Sequence, residues 1–439
     1  MSTNAKNPLL KVGEFFKAIG KGYAKIPFIL KVFTGLVIGV ILALLLPKAT
    51  FIEVFGTIFV SALKGIAPVL VFVLIISSLS TAGKGIGSRF FKVVCLYMAT
   101  TLLAAFVSVV VSFIFKVEIP FTNPPTDYTP PSDLGSVFSS LLASMVENPV
   151  SALINGNYVG ILTWAILLGL ALRVLASDTT KNFLADLSGA ISKVVGWVIS
   201  LAPLGIMGLV FSAVSSLGPE IFIDYGVLVL VLVGTMIITS LGINPLIIGV
   251  CLKRNPYPLV FRCLKESGLQ ALFTRSSAAN IPVNMKLCGD LGLDKEYYSV
   301  AIPLGATINM DGAAITITIM SLSAAFSIGI DVNFFVAIIL CLVATLGACG
   351  ASGVPGGSLL LIPMACSLLG VDSNIAMQVV GVGFMIGVIQ DSVETALNSS
   401  GDAMFAATAE FMEWKKQGKP IYFTEKERLI AEKSIKEND

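Results

Sequence analysis

Two stretches decide how this 439-residue chain folds: residues 274–282, TRSSAANIP, and residues 350–358, GASGVPGGS. Each is rich in serine, glycine or proline, yet both are flanked by mostly apolar sequence. A segment at membrane depth must satisfy its own backbone hydrogen bonds, so helix-breaking stretches there are expected to line a cavity. We therefore predict two re-entrant hairpins, each with two half-helices that meet at a non-helical tip. Ordinary kinked helices are the alternative, because membrane helices tolerate glycine and proline.

The composition supports a membrane protein. Hydrophobic residues make up 55% of the chain and charged residues 13%, and the mean hydropathy is +0.90. Ordinary globular proteins carry about 25% charged residues. Several apolar windows exceed the roughly 20 residues that a spanning helix needs. Six spans are predicted, at residues 28–47, 51–82, 93–115, 158–176, 187–216 and 225–250, before a more broken apolar region from 256 to 412.

The links between these spans alternate in charge. Lysine and arginine precede the first span and follow the second, the fourth and the sixth, whereas residues 117–157 contain neither. The positive-inside rule therefore predicts that both termini are cytoplasmic. The amphipathic segment 1–27 is expected either to lie on the inner leaflet or to be a solvated leader. The proline-rich residues 120–133 are expected to form an irregular external loop.

Several classes of chemistry are excluded by composition. The chain has no histidine, so histidine proton relays, histidine-ligated metals and histidine-based triads are absent. Its seven cysteines show no CxxC spacing and are predicted to be small buried hydrophobic residues. We expect no nucleic-acid partner.

Each predicted hairpin is followed by a helix with polar residues in its interior. These sequences are ATINMDGAA at 306–314 and DSVETALNSSGD at 391–402. A charged side chain at a helix centre costs about 2.5–3.5 kcal/mol in a bilayer, so these must pair, bind ions or meet water. Broken segments in corresponding positions of two repeats indicate the binding site of a secondary transporter. The first hairpin follows a positive link and the second is flanked by acidic residues, which predicts opposed, inverted repeats.

These motifs resemble the dicarboxylate/amino acid:cation symporters, the glutamate-transporter family, over about residues 28–412. Within that family the sequence is most similar to the bacterial sodium/serine-threonine symporters. The resemblance implies an all-α integral membrane protein of the bacterial inner membrane, with eight transmembrane helices and two re-entrant helical hairpins in inverted repeats. It also implies a homotrimer surrounded by membrane lipid and an elevator-type mechanism.

The same resemblance divides the chain into four parts. Residues 1–27 are the cytoplasmic amphipathic N-terminus. Residues 28–250 hold six spanning helices with the trimerisation scaffold, although the span near 93–115 contributes to the transport domain. Residues 255–412 form the transport core, with hairpin 1, helix 7, hairpin 2 and helix 8. Residues 413–439 form a charged cytoplasmic tail.

The resemblance implies three sodium sites, built from the hard oxygen ligands that sodium prefers. The first combines the Asp402 carboxylate with the backbone carbonyls of Gly305, Asn309 and Asn398. The second uses the side chains of Asn309, Asp311, Tyr97, Thr100 and Thr101. The third uses only carbonyls, near Thr307, Ala348, Cys349 and Ala351. For Thr100 and Thr101, hydroxyls bonded back to their own helix are the alternative interpretation.

The resemblance also implies where an amino acid binds. The substrate's α-amino group is expected on Asp391, supported by Arg275, and its carboxylate on Ser277, Asn398 and the amides near the hairpin tips. The other residues expected around the substrate are Ser276, Met310, Val354, Gly356, Glu394 and Thr395.

One position departs from the acid-transporting members of the family. They carry an arginine three residues after this aspartate, whereas this chain has Glu394. A substrate carboxylate about 4 Å away would be repelled by about 4 kcal/mol at an effective dielectric constant near 20. A short hydroxyl side chain can pair with Glu394 or Thr395, so serine and threonine are the predicted substrates, imported with sodium. A carboxylate with no role in substrate binding is the alternative for Glu394.

Three other functions stay open at the sequence level. An acidic amino acid or dicarboxylate symporter would need a compensating cation, for which Arg275 is the candidate. An intramembrane aspartyl protease would use two of Asp311, Asp391 and Asp402, but it would not require paired hairpin breaks. An anion channel would need cationic rings, which the sequence does not show.

Overall fold

The computed structural model describes residues 26–81, 87–121, 139, 142–351, 356–424 and 427, and within them the chain forms helices and no β-strand. Residues 1–25 of the predicted amphipathic segment and 122–133 of the proline-rich stretch lie outside this range. The α-helices whose two ends both lie in these ranges are α1 (Phe28–Leu45), α2 (Glu53–Thr81), α3 (Gly87–Phe115), α4 (Pro149–Asn155), α5 (Tyr158–Leu175), α6 (Asp178–Ser200), α7 (Ala202–Leu217), α8 (Ile221–Ile238), α9 (Asn244–Leu252), α10 (Tyr257–Cys263), α11 (Leu269–Thr274), α12 (Ser277–Asp290), α13 (Lys295–Ile308), α14 (Asp311–Ser327), α15 (Phe334–Ala348), α16 (Ile362–Leu368) and α17 (Ser373–Lys416).

Seven helical runs in the described part of the chain are long and apolar enough to cross a membrane. They are Thr50–Ser80, Arg89–Phe115, Tyr158–Leu175, Asp178–Ser200, Ile221–Leu252, Lys295–Ser327 and Ser373–Lys416. Four shorter apolar helices accompany them: Leu30–Leu45, Ala202–Leu217, Phe334–Ala348 and Ser358–Leu368. The prediction of an all-helical, multi-pass membrane protein is therefore confirmed.

The fifth predicted span, residues 187–216, is two helices rather than one. The first, α6, begins at Asp178, where the Ser177 hydroxyl accepts the Thr180 N–H as an N-cap, and it ends at Ser200. The second, α7, begins at Ala202 with Pro203 in its first turn. Proline lacks an N–H and is favoured in the first turn of a helix, so Pro203 suits the start of α7.

Helices α1 and α2 pack against α7 through glycine. A Cβ atom on Gly35 would lie 2.1 Å from the Pro203 carbonyl oxygen, and one on Gly208 would lie 2.4 Å from the Gly56 nitrogen. Small residues let membrane helices approach at backbone distance, where van der Waals contact replaces the hydrophobic driving force. The N-terminal spans therefore form a tightly packed unit.

The third and sixth predicted spans pack on the C-terminal helices. Helix α3 contacts α13, α14, α15 and α17, while α8 contacts α14 and α17 and α9 contacts α17. Buried residues of α3 and α9, such as Val93 and Ile248, share one apolar cluster with Phe405 and Phe411 of α17. These two spans therefore lie against the segment that carries the polar motifs.

The chain reverses direction at Arg275 and Ser276, where the first hairpin tip is predicted. Helices α10 and α11 form one arm, joined by a π-helical turn at Leu264–Gly268, and α12 forms the other. Arg275 adopts a left-handed conformation with φ 52°, and the Ser276 hydroxyl accepts the Ala279 N–H to cap α12. The Asn280 amide crosses between the arms and donates to the Ser267 hydroxyl at 2.8 Å.

In the second polar stretch, the arm before the tip is α15 and the chain returns through a 3₁₀ turn at Ser358–Leu361 into α16. The tip residues 352–355, which include the predicted substrate residue Val354, lie outside the described residues. Gly356 has φ 74°, a conformation that favours glycine.

The NMDG stretch, predicted in the interior of a helix, instead interrupts one. Helix α13 ends at Ile308 and α14 begins at Asp311, and Asn309 and Met310 lie outside helical geometry. The break is stabilised from outside, since the Asn309 amide donates to the Asn398 carbonyl and to Asp402 Oδ1, each at 3.0 Å. Long-range partners thus replace the hydrogen bonds of a continuous helix.

The last helix continues past the predicted core boundary at 412 and ends at Lys416. The following segment folds back onto the start of the first hairpin arm. Arg254 donates to the Ile421 carbonyl at 2.6 Å, and Arg262 donates to the Phe423 carbonyl at 3.1 Å. Phe423 is fully buried, so this part of the predicted tail is packed.

Candidate substrate and cation site

The polar face of α17 lies at the centre of the molecule. Asp391, Glu394, Thr395, Asn398 and Asp402 are all buried in this helix. The first hairpin, the segment after the second hairpin tip, the break between α13 and α14, and helix α3 all supply groups that contact this face. The structure therefore brings together most of the residues predicted for the site.

Both hairpins contact the Asp391 carboxylate. The Arg275 Nε group donates to Asp391 Oδ2 at 2.6 Å, and the Gly356 N–H donates to Oδ1 at 3.1 Å. Charge-assisted bonds of this kind are short and strong, and inside a membrane they offset the cost of burying a charge. The Arg275 Nη1 group is also buried, and it has no hydrogen-bond partner among the described residues. It remains a free donor beside Asp391.

The space next to this pair is closed. A cavity of about 10 Å³ is lined by Arg275, Gly356 and Asp391 together with apolar residues of α1, α6, α7 and α17. One water molecule needs roughly 10–15 Å³ on this measure, so an amino acid does not fit. A further group can contact the Asp391 carboxylate from this space only if Gly356 or Arg275 moves away from it.

Glu394 is held by three donors from different parts of the fold. Its Oε2 atom accepts from Thr316 at 2.8 Å and from Ser358 at 2.9 Å, and also from the Gln390 side chain. Gln390 donates to Thr316 at 2.7 Å as well. The Glu394 carboxylate is thus fixed between α14, the 3₁₀ turn Ser358–Leu361 and α17. These three partners were missing from the sequence-based site because an uncharged polar residue gives no signal of its own, although Ser358 ends the GASGVPGGS stretch and Gln390 directly precedes Asp391.

The other predicted substrate residues lie close by. Ser277 is the buried first residue of α12, and the Asn398 Oδ1 atom accepts the Gly312 N–H at 2.7 Å. The Asn398 amide lies 3.5 Å from the Met310 sulfur. Thr395 is buried, but its hydroxyl donates to the Asp391 carbonyl in its own helix, so a substrate would compete with that bond.

The surroundings of Asp402 fit a hard cation. Asp402 Oδ1 accepts from Asn309, but Oδ2 is buried and has no partner among the described residues. A Cβ atom on Gly305 would lie 3.0 Å from Asp402 Oδ1 and 2.9 Å from the Tyr97 hydroxyl, so only glycine admits both groups at this approach. The available atoms are carboxylate and carbonyl oxygens, the ligands that hard cations take in proteins.

A second oxygen cluster surrounds Asp311. The Thr101 hydroxyl lies 3.0 Å from Asp311 Oδ1 and 2.9 Å from the Tyr97 carbonyl, and its single hydrogen serves one of them at a time. Thr100 lies 3.4 Å from Asn309 Oδ1 and bonds back to Tyr97 at 3.0 Å. Both threonine hydroxyls thus bond back to their own helix and also lie within reach of Asn309 or Asp311.

One member of this cluster was missed at the sequence level. Asn244, the first residue of α9, donates to Asp311 Oδ2 at 3.3 Å. A lone asparagine inside an apolar span is the sequence signal that could have identified it.

The predicted carbonyl-only site lies where the second hairpin meets α13. The Cys349 sulfur lies 3.6 Å from the Ile308 carbonyl, so Ala348 and Ala351 lie near the end of α13. Thr307 is exposed to a cavity of about 180 Å³ that also borders Cys349 and Gly350.

Similarity to known proteins extends over almost the whole chain. Residues 28–411 match the sodium:dicarboxylate symporter family. The serine/threonine transporter SstT of Bifidobacterium adolescentis is 54% identical over 421 residues, which cover 95% of this chain and 98% of that protein. The serine/threonine transporter SstT of Streptococcus agalactiae serotype III is 54% identical over 391 residues, which cover 89% of this chain and 97% of that protein.

These matches overturn the intramembrane aspartyl protease alternative, because the relatives are transporters over almost the whole chain. The buried aspartates are therefore not a proteolytic dyad. The chain belongs to the sodium:dicarboxylate symporter family, and it is a transporter rather than an enzyme.

Proposed function

We propose that this protein imports a small neutral amino acid, serine or threonine, together with sodium. The observation that carries the proposal is one buried carboxylate contacted by both hairpins, Asp391, together with oxygen clusters at Asp402 and Asp311 that contact no cationic side chain among the described residues. The relatives described above are named serine/threonine transporters, which supports the choice of substrate.

The substrate is a zwitterion, and the site offers one partner for each charge. Its ammonium group replaces Gly356 or Arg275 at the Asp391 carboxylate. Its carboxylate binds Ser277, Asn398 and amides near the hairpin tips, and the Arg275 Nη1 group is an additional donor. Substrate binding therefore exchanges hydrogen bonds within the site and keeps each buried charge paired, as the membrane interior demands.

Glu394 determines which side chains are accepted. Its three donors hold the carboxylate in one place, so a substrate carboxylate near it is repelled, whereas a serine or threonine hydroxyl donates to it. The competing proposal of an acidic substrate needs a cation at this point. Arg275, the candidate for that role, is already bonded to Asp391.

Sodium is cargo in this mechanism, held at Asp402 and at Asp311. Asn309 connects the two sites, because its side chain contacts both Asp402 and Thr100. Asn398 extends the connection to the substrate, since its carbonyl contacts Asn309 and its amide oxygen contacts Gly312. A cation that fixes Asn309 thereby fixes Asn398, which is how sodium favours substrate binding.

We further infer an elevator movement in a homotrimer of the bacterial inner membrane, with both termini in the cytoplasm. The packing suggests the division: α1, α2 and α5–α7 serve as the scaffold, and α3 with α8–α17 moves as the transport core. Assigning the sixth span to the core extends it N-terminally beyond residue 255. The third cation site, at Thr307, Ala348, Cys349 and Ala351, lies at the boundary between these parts.

Equilibrium binding to the purified protein tests the substrate assignment. Thermal unfolding is followed with L-serine, L-threonine or L-aspartate, in sodium chloride or in choline chloride of equal ionic strength. We expect serine and threonine to raise the melting temperature only in sodium. Stabilisation by aspartate in place of serine would overturn the substrate, and equal stabilisation in choline would overturn sodium coupling.

A further inference from the structure

Asn244 lies inside the apolar sixth span and is fully buried. Its Nδ2 group donates to Asp311 Oδ2 at 3.3 Å. Its other side-chain atom, Oδ1, is buried and accepts no hydrogen bond from any described residue. The amide nitrogen thus has a hydrogen-bond partner, whereas the amide oxygen has none among the described residues and lies near the buried Asp311 carboxylate.

A free amide oxygen is unfavourable in this position. Leaving a buried acceptor unsatisfied costs about 1–3 kcal/mol, and the bilayer interior offers no bulk water to compensate. An apolar residue would avoid that cost. The oxygen is therefore accounted for best by a ligand that it binds when the site is loaded.

The backbone before Asn244 is irregular and turns this side chain towards Asp311. A π-helical turn, Thr239–Ile243, directly precedes it, and the Asn244 N–H bonds to the Thr239 carbonyl. Pro245 follows in the first turn of α9. Single π-helical turns inside α-helices occur frequently at functional sites, because the extra residue re-aims the side chains that follow.

We propose that Asn244 is a ligand, through its side-chain oxygen, of the cation that binds at Asp311. The proposal rests on sodium coupling as proposed above. Rotation of the amide by about 180° about χ2 exchanges the positions of Nδ2 and Oδ1. The two groups are nearly equal in size, so the rotated amide fits the same space. With the oxygen turned to Asp311, the cluster gains a neutral hard ligand of the kind that sodium and calcium take from asparagine.

The nitrogen and the oxygen of the amide then have different partners in the cation-free and the cation-bound site. The N–H end, which lies 3.3 Å from Asp311 Oδ2, satisfies the carboxylate when no cation is bound. The oxygen end coordinates the cation when one is bound. The sixth span thereby becomes part of the cation site and contacts it directly, alongside α3 and the break between α13 and α14.

The direction of the sodium response separates this role from a structural one. If Asn244 only donates to Asp311, that bond competes with sodium, and removing it will strengthen sodium binding. If Asn244 is a ligand, its removal will weaken sodium binding. The experiment measures the melting temperature of the purified full-length protein against sodium concentration, without amino acid and with choline chloride holding ionic strength constant.

Asn244→Leu keeps the approximate size of the side chain and removes its oxygen. We expect the sodium midpoint, the sodium concentration that gives half of the maximal rise in melting temperature, to increase at least tenfold. Asn244→Ser keeps an oxygen ligand on a shorter side chain, and we expect it to show an intermediate increase. The matched control is Thr235→Val, because Thr235 is buried in the same span and donates only to the Val231 carbonyl at 2.7 Å. Its midpoint is expected to match that of the wild type.

A double variant assigns the effect to the right site. In an Asp311→Asn background, Asn244→Leu is expected to add less than twofold to the midpoint, because residues of one site do not act independently. A midpoint that falls or stays unchanged in both Asn244 variants overturns the proposal, as does a full tenfold effect in that background. If sodium does not stabilise the wild-type protein more than choline does, the proposed sodium coupling is wrong. That result differs from a failure of the Asn244 proposal, in which the wild type responds to sodium and the Asn244 variants respond equally well.

Discussion

At the residue scale, the site depends on buried polar atoms whose partners come from other elements. Asp391 is held by groups from both hairpins, while Asp402 retains an oxygen without a partner among the described residues. These two carboxylates lie in the same helix but have different hydrogen-bond partners. They are therefore expected to respond to different ligands.

Exchange of the two carboxylates for amides tests this separation. Asp391→Asn is expected to abolish serine-dependent thermal stabilisation, with at least a hundredfold loss of affinity, because the ammonium group loses its counter-charge. Its sodium-dependent stabilisation is expected to persist. Asp402→Asn is expected to raise the sodium midpoint at least tenfold and to bind serine normally once sodium is saturating. Full serine binding by Asp391→Asn, or an unchanged sodium midpoint in Asp402→Asn, would refute the respective assignment.

Glu394 is expected to exclude acidic substrates by its charge. Glu394→Gln keeps the size of the side chain and removes the charge, so we expect L-aspartate to inhibit serine uptake at least tenfold more effectively than in the wild type. Glu394→Arg is expected to lose serine transport altogether. The measurement is competition of unlabelled amino acids against labelled serine, with Ser392→Ala as a neighbouring control that alters only a bond within the helix. If the ratio of serine to aspartate inhibition is the same in every variant, Glu394 does not contribute to selectivity.

Much of this residue-level picture was predictable, and the rest depended on long-range contacts. Charged residues in apolar sequence are expensive, which identified Asp311, Asp391, Glu394 and Asp402. Thr316, Ser358 and Gln390 carry no such signal, and their role at Glu394 follows only from the fold.

At the element scale, the helices around the site approach at distances that only glycine permits. A Cβ atom on Gly312 would lie 2.9 Å from the Cα, Cγ and carbonyl oxygen of Glu394. Helices α14 and α17 therefore contact each other through backbone beside Glu394, the residue that we propose determines substrate selectivity.

Gly312→Ala tests this contact. The added methyl group must push α14 from α17, so we expect a loss of about 1–3 kcal/mol in unfolding free energy, typical of an overpacked core. Serine affinity is expected to fall with it. Gly234→Ala in α8 is the control, because a Cβ atom there meets no other atom within 4 Å. Thermal unfolding and serine titration of both variants provide the measurement, and equal behaviour of the two would contradict the close approach.

The breaks in the elements were only partly readable from sequence. Serine and proline in the first stretch and glycine and proline in the second signalled the hairpins, although Pro282 lies inside α12 rather than at the tip. Pro203 lies in the first turn of the second helix of the fifth span. The break at Asn309 and Met310 has neither residue. It exists because Asn309 is held by acceptors on α17, about ninety positions along the chain, a distance that no local pattern reports.

At the scale of the whole molecule, the polar motifs, the third span and the sixth span form one packed unit against a glycine-packed N-terminal unit. The family membership shows that this architecture belongs to a symporter family. Hydropathy and charge predicted the order of the spans along the chain. That the sixth span packs with the polar motifs became clear only from the contacts of α8 and α9 with α14 and α17. Coupled movement of substrate and sodium is the property that this arrangement is proposed to provide.

The most direct measurement is uptake of labelled L-serine into proteoliposomes of the purified protein, with sodium outside and none inside. We expect concentrative uptake that collapses when choline replaces external sodium or when a sodium ionophore is added. Unlabelled threonine is expected to inhibit it and aspartate to leave it nearly unchanged. Serine uptake that is indifferent to the sodium gradient, or that aspartate inhibits better than threonine, would contradict sodium-coupled transport of a neutral hydroxyl amino acid.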